Sequence, residues 1–141
     1  MKNIALITAA FLVTFSVSSQ TIFGKWITVD EQTGEEKSIV EVYEQDGKVF
    51  GKIVEILNPT HKDALCEKCE GDEKNKPILG LVLMKNMEKQ GKYYKNGTIF
   101  HPERGKKYKC RITLDDEDPD LLQVRGYVAF LYATQYWKRV K

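Results

Sequence analysis

The sequence predicts an all-β protein: an antiparallel, up-and-down barrel of about eight strands behind an N-terminal signal peptide. Three observations carry this reading. Turn signals recur every dozen residues or so between short β-rich runs. The run Lys106 to Leu114 alternates, with Tyr108, Cys110, Ile112 and Leu114 on a dry face and Lys107, Lys109, Arg111 and Thr113 on a wet one. Gly24 and Trp26 open the first run, while Trp137 and Arg139 close the last. Small barrels use such a pairing to seat an indole at the floor and lay a guanidinium over it.

Lys2 precedes an apolar run, Ile4 to Val17, broken only by Thr8, Thr14 and Ser16, and Val17 and Ser19 are small. This pattern predicts a signal peptide over 1–19 cut after Ser19, with the mature chain, 20–141, forming one barrel domain. The apolar run is shorter than the ~20 residues of a spanning helix, and no later stretch approaches that length. The expected compartment is periplasmic or secreted. Predicted strands then run from Ile22 to Val29, Ser38 to Glu44 and Lys48 to Leu57, the last two joined at Asp46-Gly47, a tight hairpin signal. Ile78 to Met84 reads as a strand. Lys92 to Tyr94 and Thr98 to Phe100 flank Asn96-Gly97, a second hairpin signal. After Lys106 to Leu114, the acidic turn Asp115 to Asp120 contains Pro119; Leu121 to Phe130 and Ala133 to Val140 complete the set. Asn58 to Pro77 departs from this rhythm. It is a long loop without alternation, a class that is usually functional or disordered.

Composition removes several function classes. The net charge is +2 over 141 residues, too close to neutral for nucleic acid or an anionic membrane to be the main partner. No Gly-x-Ser-x-Gly elbow is present, and no serine neighbours His61 or His101 in the sequence, so hydrolytic catalysis is not indicated. The acidic turn lacks the spacing of a calcium loop.

The chain resembles the bacterial domain-of-unknown-function family 2147, a secreted group. The resemblance runs through Gly24-Lys25-Trp26, the hairpin Val40 to Ile56, Cys66-Glu67-Lys68-Cys69 and Lys76-Pro77-Ile78-Leu79-Gly80-Leu81. It continues through Gly97-Thr98-Ile99 with Pro102, Gly105 and Tyr108, then Val124-Arg125-Gly126-Tyr127 and Trp137-Lys138-Arg139. It covers nearly all of the mature chain and implies a lipocalin-like barrel. It implies no activity and no catalytic residues, and Cys110 falls outside its pattern.

In an oxidising compartment Cys66 and Cys69 read as a local disulfide. A redox pair would sit at a helix N-terminus, whereas Asp63, Glu67, Glu70, Asp72 and Glu73 surround these thiols. Zinc would need a fourth ligand beyond Cys66, Cys69 and His61, and only His101 or Cys110 offers one. No cofactor or metal is expected. Cys110, on the dry face, reads as a buried free thiol. Arg139 reads as structural, together with Gly24, Trp26 and Trp137. Arg125 reads either as a surface residue or as an interior charge facing a ligand, with Glu41 and Glu55 as partners if they point inward.

The expected function is binding of a small apolar ligand in the barrel mouth, lined by Tyr108, Ile112, Val124 and Arg125, with Tyr43 and Phe50 as further candidates. The alternatives are a filled barrel acting as a cell-envelope interaction or scaffold protein, and thiol-disulfide or metal handling through Cys66 and Cys69.

Overall fold

The computed structural model describes residues 9–13 and 20–141. The predicted signal peptide and its cleavage point lie largely outside the described residues. Eight strands follow one another: β1 (Gly24–Val29), β2 (Glu36–Gln45), β3 (Lys48–Ile56), β4 (Val82–Gln90), β5 (Tyr93–His101), β6 (Lys106–Leu114), β7 (Leu121–Val128) and β8 (Leu131–Arg139). Each pairs antiparallel with its sequence neighbour, and β8 returns to β1 through Trp26 opposite Arg139. The barrel closes through this short seam, Trp26 with Arg139 and Ile27 with Lys138.

Alternation sets the interior. Trp26 and Thr28 of β1, Val40 and Val42 of β2, Cys110 and Ile112 of β6, and Leu122 and Val124 of β7 are all buried. The residues between them, Ile27, Glu41, Arg111 and Gln123, face outward. Glu41 is one of these: it sits between inward Val40 and Val42 and pairs across the sheet with Lys25 and Lys52. Glu55 is exposed. Neither points inward, so neither partners Arg125.

The Asp46-Gly47 hairpin forms with both residues at positive φ, 52° and 77°, the geometry of a type I′ turn. The second expected hairpin does not form. Asn96 and Gly97 lie inside one continuous strand, β5, and the chain reverses instead at Gly91. Asn96 takes φ 63° where the pairing of β5 with β6 shifts register, as in a bulge. Gly97 is required for a different reason: a Cβ there would overlap the Lys85 carbonyl oxygen and the Met87 sulfur. Asn-Gly supplied the positive φ of a bulge rather than of a turn. The strand expected over Ile78 to Met84 also shifts, beginning at Val82 and running to Gln90.

One end of the barrel is a closed floor. Trp26 is fully buried and its Nε1 donates to the Ile22 carbonyl at 2.8 Å. The Arg139 guanidinium lies 4.3 Å from the Trp26 ring centroid. It is fixed there by Asp120 at 3.2 Å and by donation to the Thr21 and Pro119 carbonyls, each at 3.0 Å. Phe23 closes the same end edge-on to Tyr94, 6.4 Å between centroids. The acidic β6–β7 turn lies here as well. Its Asp115 carboxylate accepts from the Glu117 and Asp118 amides.

The long loop Asn58 to Pro77 is ordered by its own contacts. It holds two short 3-10 turns, Pro59–His61 and Gly71–Glu73, and a bridge between Leu65 and Pro77. Cys66 and Cys69 form the disulfide, both buried. Lys68 donates to the Glu103 carbonyl at 2.7 Å, and Glu73 meets Lys85 of β4 at 2.7 Å, so the loop is tied along one side of the open end.

Candidate functional site

The other end of the barrel is open and contains a cavity of about 800 Å³. Its walls are the inward side chains of the mouth half: Ile53 and Ile56 of β3, Leu83 of β4, Ile99 of β5, Tyr108 of β6, Val124 of β7 and Trp137 of β8. Space exists because small residues face it. Gly126 and Ala133 are direct cross-strand neighbours on β7 and β8 and both line the cavity. A Cβ at Gly126 would meet only the Tyr108 side chain, at 3.5 Å. In the floor half the glycines do the opposite. A Cβ at Gly51 would press within 3.1 Å of Met84 and 3.2 Å of Val40.

A few polar groups interrupt the apolar wall. Thr28 Oγ1 and Ser38 Oγ share a hydrogen bond at 2.7 Å. Gln135 accepts from Trp137 Nε1 at 3.1 Å and donates to Glu31 at 2.8 Å, linking the wall to the β1–β2 turn. The rim carries Lys37, His61, His101 and Arg104 together with the acids Asp30, Glu31, Glu35 and Glu103. Lys37 pairs with Glu103 at 2.8 Å, and that hydrogen bond holds the Glu103 carboxyl below its ordinary pKa. Burial pushes the His101 imidazole below its ordinary value, and the nearby Lys37 and Arg104 charges add to the effect. His101 is therefore biased towards the neutral form at the mouth.

The sequence-derived site residues divide. Tyr108 and Val124 line the cavity. Ile112 is inward but fully buried below it, in the packed half. Arg125 points outward: its Nε donates to Thr134 Oγ1 at 2.9 Å and its guanidinium lies 4.4 Å from the Tyr132 ring centroid. Tyr43 and Phe50 also lie outside, stacked on each other 5.9 Å apart between inward-facing neighbours. Trp137, read as structural, also forms cavity wall. Ile53, Ile56, Leu83 and Ile99 were not singled out from the sequence. Period-two counting from Gly97 along β5 reaches Ile99, whereas bulges in β3 and β4 break the count on those strands.

The thiols stand apart from this site. Burial pushes the Cys110 pKa up to about 12, so the group is a neutral, shielded thiol. Cys66 and Cys69 are followed by an extended Glu70 and a three-residue 3-10 turn, without the α-helix whose N-terminus would activate a thiolate.

The fold and cavity agree with what the chain is similar to. A family model described as "uncharacterized protein conserved in bacteria", domain-of-unknown-function family 2147, matches residues 24–139. The chain belongs to this family. The match to family 2147 begins and ends with the strands that carry Trp26 and Arg139. Among solved structures, the chain is similar to protein HP1028 from Helicobacter pylori, described as belonging to the lipocalin family. The two share 20% identity with a TM-score of 0.74, over 87% of this chain and 85% of that one, and the likeness is one of fold. No curated protein matches the chain. This member of family 2147 therefore has a closed, lipocalin-like barrel with one end filled and one end open.

Proposed function

We propose that the protein is a carrier that holds one small, largely apolar molecule in the barrel mouth. The supporting observation is the cavity: about 800 Å³, walled by aliphatic and aromatic side chains with a few polar groups. That volume lies within the roughly 300–1,000 Å³ of ordinary small-molecule sites. A fatty-acid-like molecule suits it, with its chain between Ile53, Leu83, Val124 and Trp137. Its acidic head would lie at the rim beside Arg104 and Lys37. Of the residues first expected to bind, Tyr108 and Val124 remain in the proposed set, while Ile112 and Arg125 leave it. A filled barrel acting only through its loops requires a packed interior, and the open half of this barrel weighs against that reading.

The carrier is proposed to act outside the cytoplasm. The leader-like sequence at 1–19 and the Cys66–Cys69 disulfide support this, because disulfides persist in oxidising compartments. Cell fractionation with N-terminal sequencing tests it; a cytoplasmic protein beginning at Met1 would overturn it. The binding claim is tested by titrating an environment-sensitive dye into the protein and displacing it with a fatty acid. One saturable site with competition is expected. Unsaturable dye fluorescence, or no displacement, would reject the carrier reading.

A further inference from the structure

The hairpin joining β7 and β8 has an unusual tip. Phe130 is 89% exposed, Leu131 64%, Tyr132 62% and Val128 53%. These residues follow one another at the rim of the cavity, and Val128, Leu131 and Tyr132 also line it. The turn contradicts its own local chemistry. Ala129 occupies φ 52°, where tight hairpins favour Gly, Asn or Asp, and the equivalent β2–β3 turn uses Asp46-Gly47. Four exposed apolar side chains and a strained alanine sit where a polar turn would serve the fold better. Such local conflicts concentrate at functional positions.

Charge gives the second, independent observation: the near-neutral net charge, which weighs against an anionic membrane for the chain as a whole, is unevenly distributed over the barrel. None of β5, β6, β7 or β8 contains an Asp or Glu. Their outward positions instead carry Lys107, Lys109, Arg111 and Arg125. Arg111 and Arg125 are direct cross-strand neighbours, a like-charge arrangement that is unfavourable without a counter-charge. Each is spread over a tyrosine, Arg111 at 4.3 Å from the Tyr93 ring centroid and Arg125 at 4.4 Å from that of Tyr132. Of the acids at the rim, Glu103 is paired with Lys37. Glu31 accepts from Gln135 and lies with Asp30 and Glu35 in the β1–β2 connection, so the basic charge belongs to the outer wall of β6 and β7 rather than to the rim. The opposite strands are mixed, with Glu36, Glu41, Glu44 and Glu55 on β2 and β3.

We propose that the β7–β8 hairpin tip docks the open end of the barrel onto an anionic lipid bilayer. Phe130 and Leu131 enter the interfacial zone, Tyr127 and Tyr132 sit at headgroup depth, and Lys107, Lys109 and Arg125 meet lipid phosphates. Apolar anchors combined with a basic patch are the two signals that surface binding requires. Docking in this pose sets the cavity mouth against the bilayer, so an acyl ligand passes between lipid and barrel without crossing water. The proposal rests on the carrier reading for this last consequence only; the docking itself does not.

Flotation of the purified protein with vesicles tests it. Phosphatidylcholine–phosphatidylglycerol vesicles are expected to carry the protein at low salt, and pure phosphatidylcholine vesicles to carry much less. The double substitution Phe130→Ser with Leu131→Ser should lower partitioning at least about tenfold, since two exposed anchors are lost and no core contact is. Lys107→Gln with Lys109→Gln should lower it several-fold and flatten its salt dependence. Wild type that stays unbound, or a Phe130→Ser, Leu131→Ser protein that floats equally well, would overturn the proposal. So would a concentration-dependent dimer in sedimentation that those substitutions abolish, because the tip would then pair with a second copy. Fatty-acid uptake is measured in parallel without vesicles. Uptake without flotation rejects docking and leaves the carrier, whereas flotation without uptake supports docking and rejects the carrier.

Discussion

The floor and the mouth of this barrel are made from the same strands and use glycine in opposite ways. In the floor half, Gly51 and Gly97 are small because Met84, Val40, Lys85 and Met87 already occupy the volume a side chain would need. In the mouth half, Gly126 is small and its neighbourhood stays open, with only Tyr108 within reach. Packing therefore stabilises one end, and the other is left to be filled from outside. An eight-strand barrel has room for either outcome, and the inward residues decide which end takes which. Stability and binding should accordingly be separable by position.

Changes at the floor test the first half of that contrast. Trp26→Ala removes a fully buried indole and should cost on the order of 3–5 kcal/mol in denaturant melts. Arg139→Ala should cost less and combine non-additively with it, because the two side chains touch at 4.3 Å. Additive losses would show that the indole and the guanidinium are independent. Val42→Ala, also at the floor, should cost about 2 kcal/mol and leave ligand uptake unchanged.

Covalent and acid–base groups give smaller effects. Removing the Cys66–Cys69 disulfide should destabilise by less than the ~3 kcal/mol of a 15-residue ring, because the ring it closes is short. Thiol titration of the oxidised protein should find one reactive group, Cys110, and only after unfolding. Three reactive thiols would contradict the disulfide. His101 supplies a pH dependence. Its folded pKa is lowered by burial and by Lys37 and Arg104, so the folded state prefers the neutral ring. The stability this preference contributes is present above about pH 6.5, the unfolded value, and is lost as pH falls below it. Melts between roughly pH 7.5 and pH 5 should show a decline that His101→Gln reduces. An unchanged decline would place its origin elsewhere.

How far the sequence revealed this follows the same division. The floor was legible because its signals are local: Gly24-Lys25-Trp26, Asp46-Gly47 and the alternation of Lys106 to Leu114 each declare a face or a turn within a few residues. The mouth was legible only where a strand alternates without interruption, at Tyr108 and Val124. Asn96-Gly97 misled because positive φ serves bulges as well as turns, and only the partner strand tells them apart. Tyr43 and Phe50 misled because apolar residues occupy both faces of β2 and β3. Arg125 lies one residue from a cavity-lining valine, and alternation sends it outward to Thr134.

The most direct measurement compares one substitution at each end in the same fluorescence titration. Gly126→Leu places a branched side chain into the open half beside Tyr108, while Val42→Ala removes volume from the packed half. Gly126→Leu should stay folded, with a melt close to wild type, and lose saturable dye and fatty-acid uptake; Val42→Ala should melt early and bind as wild type does. If Gly126→Leu binds with wild-type affinity, the open half of the barrel is not where ligand goes, and the contrast between floor and mouth carries no function.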